Sequence, residues 1–182
     1  NITFFTAKWL KFVNENRNLT MEIRTKSDNF RAIENIQPNH NVVFAWTLSP
    51  QEVSEKFEHG APSLEKRLES VMAAIEKGWR VRLCIDPALY IENFEKVYGG
   101  FIDEVFSKIS ADKLYDVSVG TFRVPKQYLK KMKKNRRNSI LLNYPYETRG
   151  NVCTYEEDIT KTMLDFIHDK LVKFVPENKI YM

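Results

Sequence analysis

Long apolar runs are missing from this chain: no stretch approaches the ~20 residues that a helix needs to span a bilayer. Cysteine is scarce. Cys84 and Cys153 are the two present, enough for one disulfide but not for a disulfide framework. Three scattered histidines add no local metal motif. There is no G-x-G-x-x-G, no P-loop, no H-E-x-x-H and no nucleophile elbow, so the common dinucleotide, nucleotide-phosphate, zinc-protease and hydrolase signatures are excluded. Internal repeats and low-complexity segments are absent. The first residues show no basic-then-apolar leader, and with so few cysteines a reducing cytoplasm is the expected setting. In that compartment the glycosylation sequons at Asn1 and Asn18 are chance matches. The chain opens on Asn1 rather than Met, so it reads as processed or cut from something longer.

What is present is ordinary for a globular protein: 43% hydrophobic and 29% charged residues. A length of 182 residues suits a single domain, 1–182, with a sizeable core. The net charge of +4 permits a polyanionic partner without demanding one.

Periodicity gives an alternating order. Residues 4–12 carry apolar groups at helical spacing, and 19–25 alternate as a strand. Ser27-Asp28-Asn29 offers a cap for a helix over 30–36. Val42-Val43-Phe44-Ala45-Trp46 is a continuous apolar run, as in a strand buried on both faces. Ser49, Pro50 and Glu52 form a capping-box start to a short helix. Ser63 opens the clearest helix, with Leu64, Leu68, Val71, Met72 and Ile75 on one face and Gly78 at its end. A strand at 81–85 is expected to stop at Asp86-Pro87. A helix over 94–109 is interrupted near Gly99-Gly100, and a strand at 115–119 ends in Gly120. A short basic helix spans 126–134, and Ile140-Leu141-Leu142 reads as a fifth strand. A long helix over 155–172 is capped at Thr154, and 179–181 forms a final strand. Strand–helix alternation of this kind means parallel strands with helical crossovers. The fold class is therefore α/β with a parallel sheet.

Such sheets bind ligands at the C-terminal ends of their strands. Those ends carry Lys26 and Ser27, then Thr47 and Ser49, then Asp86, then Gly120, Thr121 and Arg123, and last the loop over 144–149. Lys26 can bind a carboxylate or phosphate, or stand solvated. Thr47 can meet a ligand, or bond its own backbone. Asp86 suits a turn before proline, and His59 in a turn reads as structural. Lys126, Lys130, Lys131, Lys133, Lys134, Arg136 and Arg137 crowd one short segment. This is either a solvated helix face or a phosphate-contacting one. Tyr144 and Tyr146 follow, able to stack a base or simply to pack.

The segment Glu22-Ile23-Arg24-Thr25-Lys26-Ser27-Asp28-Asn29 is followed at characteristic spacing by Val43-Phe44-Ala45-Trp46-Thr47-Leu48-Ser49-Pro50. Phe57-Glu58-His59-Gly60-Ala61-Pro62-Ser63-Leu64-Glu65-Lys66-Arg67-Leu68 comes next, then Asp86-Pro87 and Gly120-Thr121-Phe122-Arg123-Val124-Pro125. In this order they resemble the spore photoproduct lyase family of radical S-adenosylmethionine (AdoMet) enzymes. The likeness runs from about residue 4 to the end, is most specific in the middle block and is loose beyond Tyr144. The resemblance implies a partial (β/α) TIM-like barrel, truncated at its N-terminus. Family members hold a four-iron cluster (4Fe-4S) through C-x-x-x-C-x-x-C and cleave AdoMet reductively. The resulting adenosyl radical starts reversal of a thymine-dimer lesion in DNA. Lys26 matches the family lysine on the AdoMet carboxylate, and Thr47 falls where the family has a serine near the same ligand. The cluster motif and the hydrogen-donor cysteine are missing, and Cys84 and Cys153 cannot replace them. The cluster ligands are thus expected in a preceding segment, with no metal site and no activity in this chain alone. DNA contacts are expected from Arg123, Lys130, Lys131, Lys134, Tyr146 and Arg149, while no catalytic residue is singled out. The alternatives are a non-enzymatic nucleic-acid binding domain and a small-molecule α/β enzyme of unrelated chemistry. No membrane association is expected.

Overall fold

A computed structural model describes residues 5–182; the sequon at Asn1 and the expected helix start at Phe4 lie outside them. In chain order the first elements are α1 (Phe5–Glu15), β1 (Met21–Thr25), β2 (Val42–Thr47), α2 (Gln51–Phe57) and α3 (Leu64–Lys77). There follow β3 (Arg80–Ala88), α4 (Phe94–Lys108), β4 (Asp116–Thr121), β5 (Arg123–Pro125) and α5 (Lys126–Asn135). The chain closes with β6 (Glu147–Arg149), β7 (Val152–Thr154), α6 (Glu157–Leu171) and β8 (Ile180–Tyr181).

Five strands form a parallel sheet in the order β1-β2-β3-β4-β8. Each strand is added on the same side of the one before it. Right-handed crossovers then put the connecting helices on one face, which is the winding of a barrel segment rather than of a doubly wound sheet. The pairing register sorts the side chains. Met21, Ile23, Val42, Phe44, Trp46, Val81, Leu83, Val117 and Val119 share one face, and all join the apolar core. Glu22, Arg24, Val43, Ala45, Thr47, Arg82, Cys84, Asp116 and Ser118 share the other. One face is thus a helix-covered core, and the opposite face is small at its centre and charged at its flanks.

Several local expectations are corrected. The helix over 30–36 is only a turn of 3-10 helix at Phe30–Ala32. Ser27 Oγ accepts from Asn29 N, a local side-chain bond that competes with helix. β3 does not stop at Asp86-Pro87 but runs to Ala88, with its register to β4 shifting between Ile85 and Ala88; that irregularity accommodates a proline lacking an N–H. α4 is unbroken through Gly99-Gly100. Gly99 serves helix packing instead: a Cβ there would lie 3.3 Å from Lys170 Cε of α6. Ile140-Leu141-Leu142 is a turn, not a strand, with Leu142 N bonded to Ser139 Oγ and Ile140 exposed. The fifth parallel strand is therefore β8. The loop expected over 144–149 instead supplies β6 to a small antiparallel sheet, β5-β7-β6, which turns through Gly150 at φ +60. Thr154 does not cap α6: its hydroxyl donates to Phe122 O at 3.0 Å. Ser49 likewise leaves α2 uncapped, because its hydroxyl is used elsewhere.

Candidate cofactor and nucleic-acid interface

The charged sheet face carries a connected ion-pair network. Arg82, near the start of the central strand β3, reaches Asp116 on one side, with Nη2 2.6 Å from Oδ2, and Glu22 on the other. Arg24 pairs with Asp86 at 3.2 Å, and Arg123 closes a two-pronged contact on the same carboxylate at 2.9 and 3.1 Å. Burial opposes ionisation of Asp86, but hydrogen bonds from Arg123 and Arg24 outweigh it and hold the carboxyl below its usual range. The Asp116 hydrogen bond, ahead of the cost of burial, raises Arg82 above its ordinary value. Gly120 makes the Asp86–Arg123 contact possible. A Cβ there would fall 2.6 Å from Arg123 Nη1 and 2.9 Å from Asp86 Oδ1.

Lys26 and Thr47 follow and end adjacent strands, and one cluster ties them together. Lys26 Nζ donates to Glu58 Oε1 at 2.7 Å, and Ser49 Oγ donates to the same oxygen at 2.8 Å. Arg67 is fully buried. Its guanidinium donates to Glu58 Oε2 at 2.5 Å, Ser54 Oγ at 2.6 Å, Pro62 O at 2.8 Å and Thr47 O at 3.2 Å. Burial would raise the Glu58 pKa, but the bonds from Lys26, Ser49 and Arg67 bring it down to about 2. The carboxylate therefore stays charged at neutral pH. Reading the sequence for strand ends missed Glu58 and Arg67. The signal was there: Arg67 stands three residues after Leu64 and four before Val71, an arginine inside the apolar stripe of α3.

Lys26 is the group here that could meet a ligand carboxylate, such as that of AdoMet. Lys26 spends one of three N–H donors on Glu58 and keeps two, and its side chain stays 40% exposed. A metal cluster does not fit these residues. Among the described residues no group of three or more His, Cys, Asp or Glu could hold a metal ion. Cys84 and Cys153 are both buried, and burial foremost pushes the Cys84 thiol up to about 11, away from the thiolate that iron requires.

The basic segment forms α5, and grooves lie on both of its sides. One, of about 870 Å³, is lined by Lys126, Lys130, Lys133, Lys134 and Tyr146 among others. Its neighbour, of about 1140 Å³, adds Lys56, His59 and Arg136. Lys130, Lys134 and Tyr146 are thus brought together. Tyr146 is half-buried, stacked on Phe122 at 4.9 Å and donating to Leu141 O at 2.8 Å, so its ring is already packed. Lys131 lies outside the groove lining, 5.8 Å from the Tyr128 ring. Arg123 belongs to the charged sheet face, and Arg149 pairs with Glu147 at 2.9 Å and Glu157 at 3.7 Å. No helix among the described residues is long and apolar enough to cross a membrane.

No protein-family model matches the chain. The chain is 26% identical over 109 residues to a spore photoproduct lyase of Clostridium acetobutylicum, a match covering 60% of this chain and 31% of that protein. Its fold is similar to that of a spore photoproduct lyase variant with bound AdoMet and dinucleoside spore photoproduct. The TM-score is 0.81 at 17% identity, over 96% of this chain and 53% of that one. A second solved structure, spore photoproduct lyase complexed with dinucleoside spore photoproduct, gives 0.80 at 18% identity and the same coverage. The chain therefore carries an α/β fold that matches about half of spore photoproduct lyase, a protein it also resembles in sequence.

Proposed function

We propose that this chain is the C-terminal portion of a spore photoproduct lyase-like radical AdoMet enzyme acting on thymine-dimer lesions in DNA, and that its 182 residues serve there as one cytoplasmic domain. The observation that carries this reading is the pair of adjacent strand ends, Lys26 and Thr47, tied by one buried cluster on a barrel-type sheet similar to AdoMet-bound spore photoproduct lyase. AdoMet, when bound beside an iron–sulfur cluster held by other residues of the full protein, supplies the one-electron chemistry. This chain's residues bind and orient. Lys26 directs its two remaining N–H donors at the AdoMet carboxylate, and the Thr47 hydroxyl lies on the same side of the sheet. Lys126, Lys130, Lys133 and Lys134 neutralise phosphates along the groove beside α5, with Arg123, Lys131, Tyr146 and Arg149 at the margins of the DNA surface. Without cluster ligands, the chain by itself is inactive.

The test is to express the full reading frame, reconstitute it with iron and sulfide anaerobically, and measure 5′-deoxyadenosine on reduction. Formation of 5′-deoxyadenosine is expected; a cluster-bearing protein that forms none refutes the reading. A non-enzymatic nucleic-acid binding domain is the second reading, favoured by a basic groove that needs no cofactor. It predicts that the 182-residue chain alone binds DNA with steep salt dependence while AdoMet has no measurable affinity for the full protein.

A further inference from the structure

We propose that Glu58, anchored by the buried Arg67, is a positioning residue of the AdoMet site. It fixes the Lys26 ammonium directly and, through Arg67, the backbone at Thr47. The proposal rests on the reading that Lys26 and Thr47 hold AdoMet.

Four side chains converge on the Glu58 carboxylate. Lys26 and Ser49 donate to Oε1 at 2.7 and 2.8 Å, and Arg67 and Ser54 donate to Oε2 at 2.5 and 3.2 Å. A carboxylate has roughly four lone-pair sites, so Glu58 has no acceptor left for a ligand amino group. It acts on a ligand only through its partners. Arg67 is no freer to meet a ligand: four of its five N–H donors go to Glu58, Ser54, Pro62 O and Thr47 O, and it is wholly enclosed. Lys26 differs. It is the partly exposed member of the cluster and still has two donors free. A lysine on a flexible four-carbon stem is a poor anchor for a small carboxylate unless its ammonium is held beforehand. Glu58 supplies that hold from one side and leaves the other side open. Arg67 also donates to the Thr47 carbonyl at 3.2 Å, so one ion pair ties together the two strand ends that the β1–β2 ladder sets side by side.

A surface ion pair that merely caps the cluster would leave ligand affinity untouched, and the test separates the two. AdoMet and methylthioadenosine, which lacks the amino-acid arm, are titrated calorimetrically into the full-length, reconstituted, unreduced protein. The proteins compared are the unaltered one, Lys26→Met, Glu58→Gln and the double variant. Because Gln leaves Arg67 buried without a counter-charge, Glu58→Asp is included. It keeps the charge but is one methylene too short to reach Lys26 while paired to Arg67. The expected result is about a ten-fold loss of AdoMet affinity in each single variant and no further loss in the double, with methylthioadenosine affinity unchanged throughout. If Lys26→Met leaves AdoMet affinity intact, the underlying reading of the site fails. If Lys26→Met weakens AdoMet while both Glu58 variants bind normally, the positioning role alone fails. Equal weakening of both ligands in the Glu58 variants also overturns it, since that is the result of a general structural defect.

Discussion

Replacing Arg67 by Met perturbs the molecule at its most enclosed charge. The side chain is fully buried and donates to four separate acceptors, two of them backbone carbonyls. Methionine keeps an unbranched apolar stem but is shorter and offers no donor. The Thr47 and Pro62 carbonyls then lose a partner, and Glu58 keeps only Lys26, Ser49 and Ser54. Breaking a buried pair by removing one partner costs about 3–5 kcal/mol. With a urea slope near 2 kcal/mol/M, the unfolding midpoint should fall by about 1.5–2.5 M. The assay is urea unfolding followed by tryptophan fluorescence, with the slope checked for constancy. A second variant carries Arg67→Met together with Glu58→Leu, which removes both charges. It should recover a large part of the loss, because no charge is left buried alone. A midpoint shift below about 0.3 M for Arg67→Met would refute the reasoning, since a pair worth so little would have to be solvated.

Acid should act on the same cluster. The Glu58 pKa is depressed from 4.5 to about 2, so its contribution is full above pH 4.5 and is lost as pH falls from there toward 2. Urea midpoints measured across this window should decline by a few kcal/mol equivalents, and Glu58→Gln should flatten that part of the curve. Gly120→Ala places a methyl where Arg123 and Asp86 meet. Carbon-detected NMR titration should then show the Asp86 carboxyl rising toward its ordinary value, whereas an unmoved titration would mean the pair had simply shifted aside. Lys130→Ala with Lys134→Ala should lower the slope of log affinity for DNA against log salt by about 2, and an unchanged slope would remove the groove beside α5 from the DNA path.

The parallel alternation was legible because each buried strand announces itself locally. Val42 to Trp46 is apolar along its whole length, and the strand through Thr47 is buried on both faces; α3 shows its stripe, its Ser63 cap and its Gly78 stop. Apart from the short turn at Phe30–Ala32, which a local Ser27–Asn29 bond explains, the main misreadings trace to partners distant in sequence. Ile140-Leu141-Leu142 looks like a strand, yet no neighbouring strand accepts it. Glu147–Arg149 looks like loop and Thr154 like a helix cap, yet Val152–Thr154 pairs with Glu147–Arg149 on one side and Arg123–Pro125 on the other. Gly99-Gly100 looks like a break because the side chains that need the space belong to α6. The strand ends with Lys26 and Thr47 could be listed from periodicity alone. That Glu58 and Arg67 bind them into one cluster depends on a turn between α2 and α3 folding back under β2, and no local pattern encodes that. The charged sheet face was half visible: Glu22 and Arg24 alternate, as do Arg80 and Arg82, but a polar face on an inner strand looks like solvent exposure until the neighbouring strands are in place.

The most direct measurement is repair itself. The protein from the full reading frame, reconstituted and reduced without oxygen, is incubated with AdoMet and dinucleoside spore photoproduct, and both nucleoside products are followed by chromatography. The account predicts loss of the photoproduct with recovery of its two thymidines, and a steep fall in that activity when Lys26 is replaced by Met. A cluster-bearing protein that leaves the photoproduct intact, or one that repairs it equally well without Lys26, would contradict it.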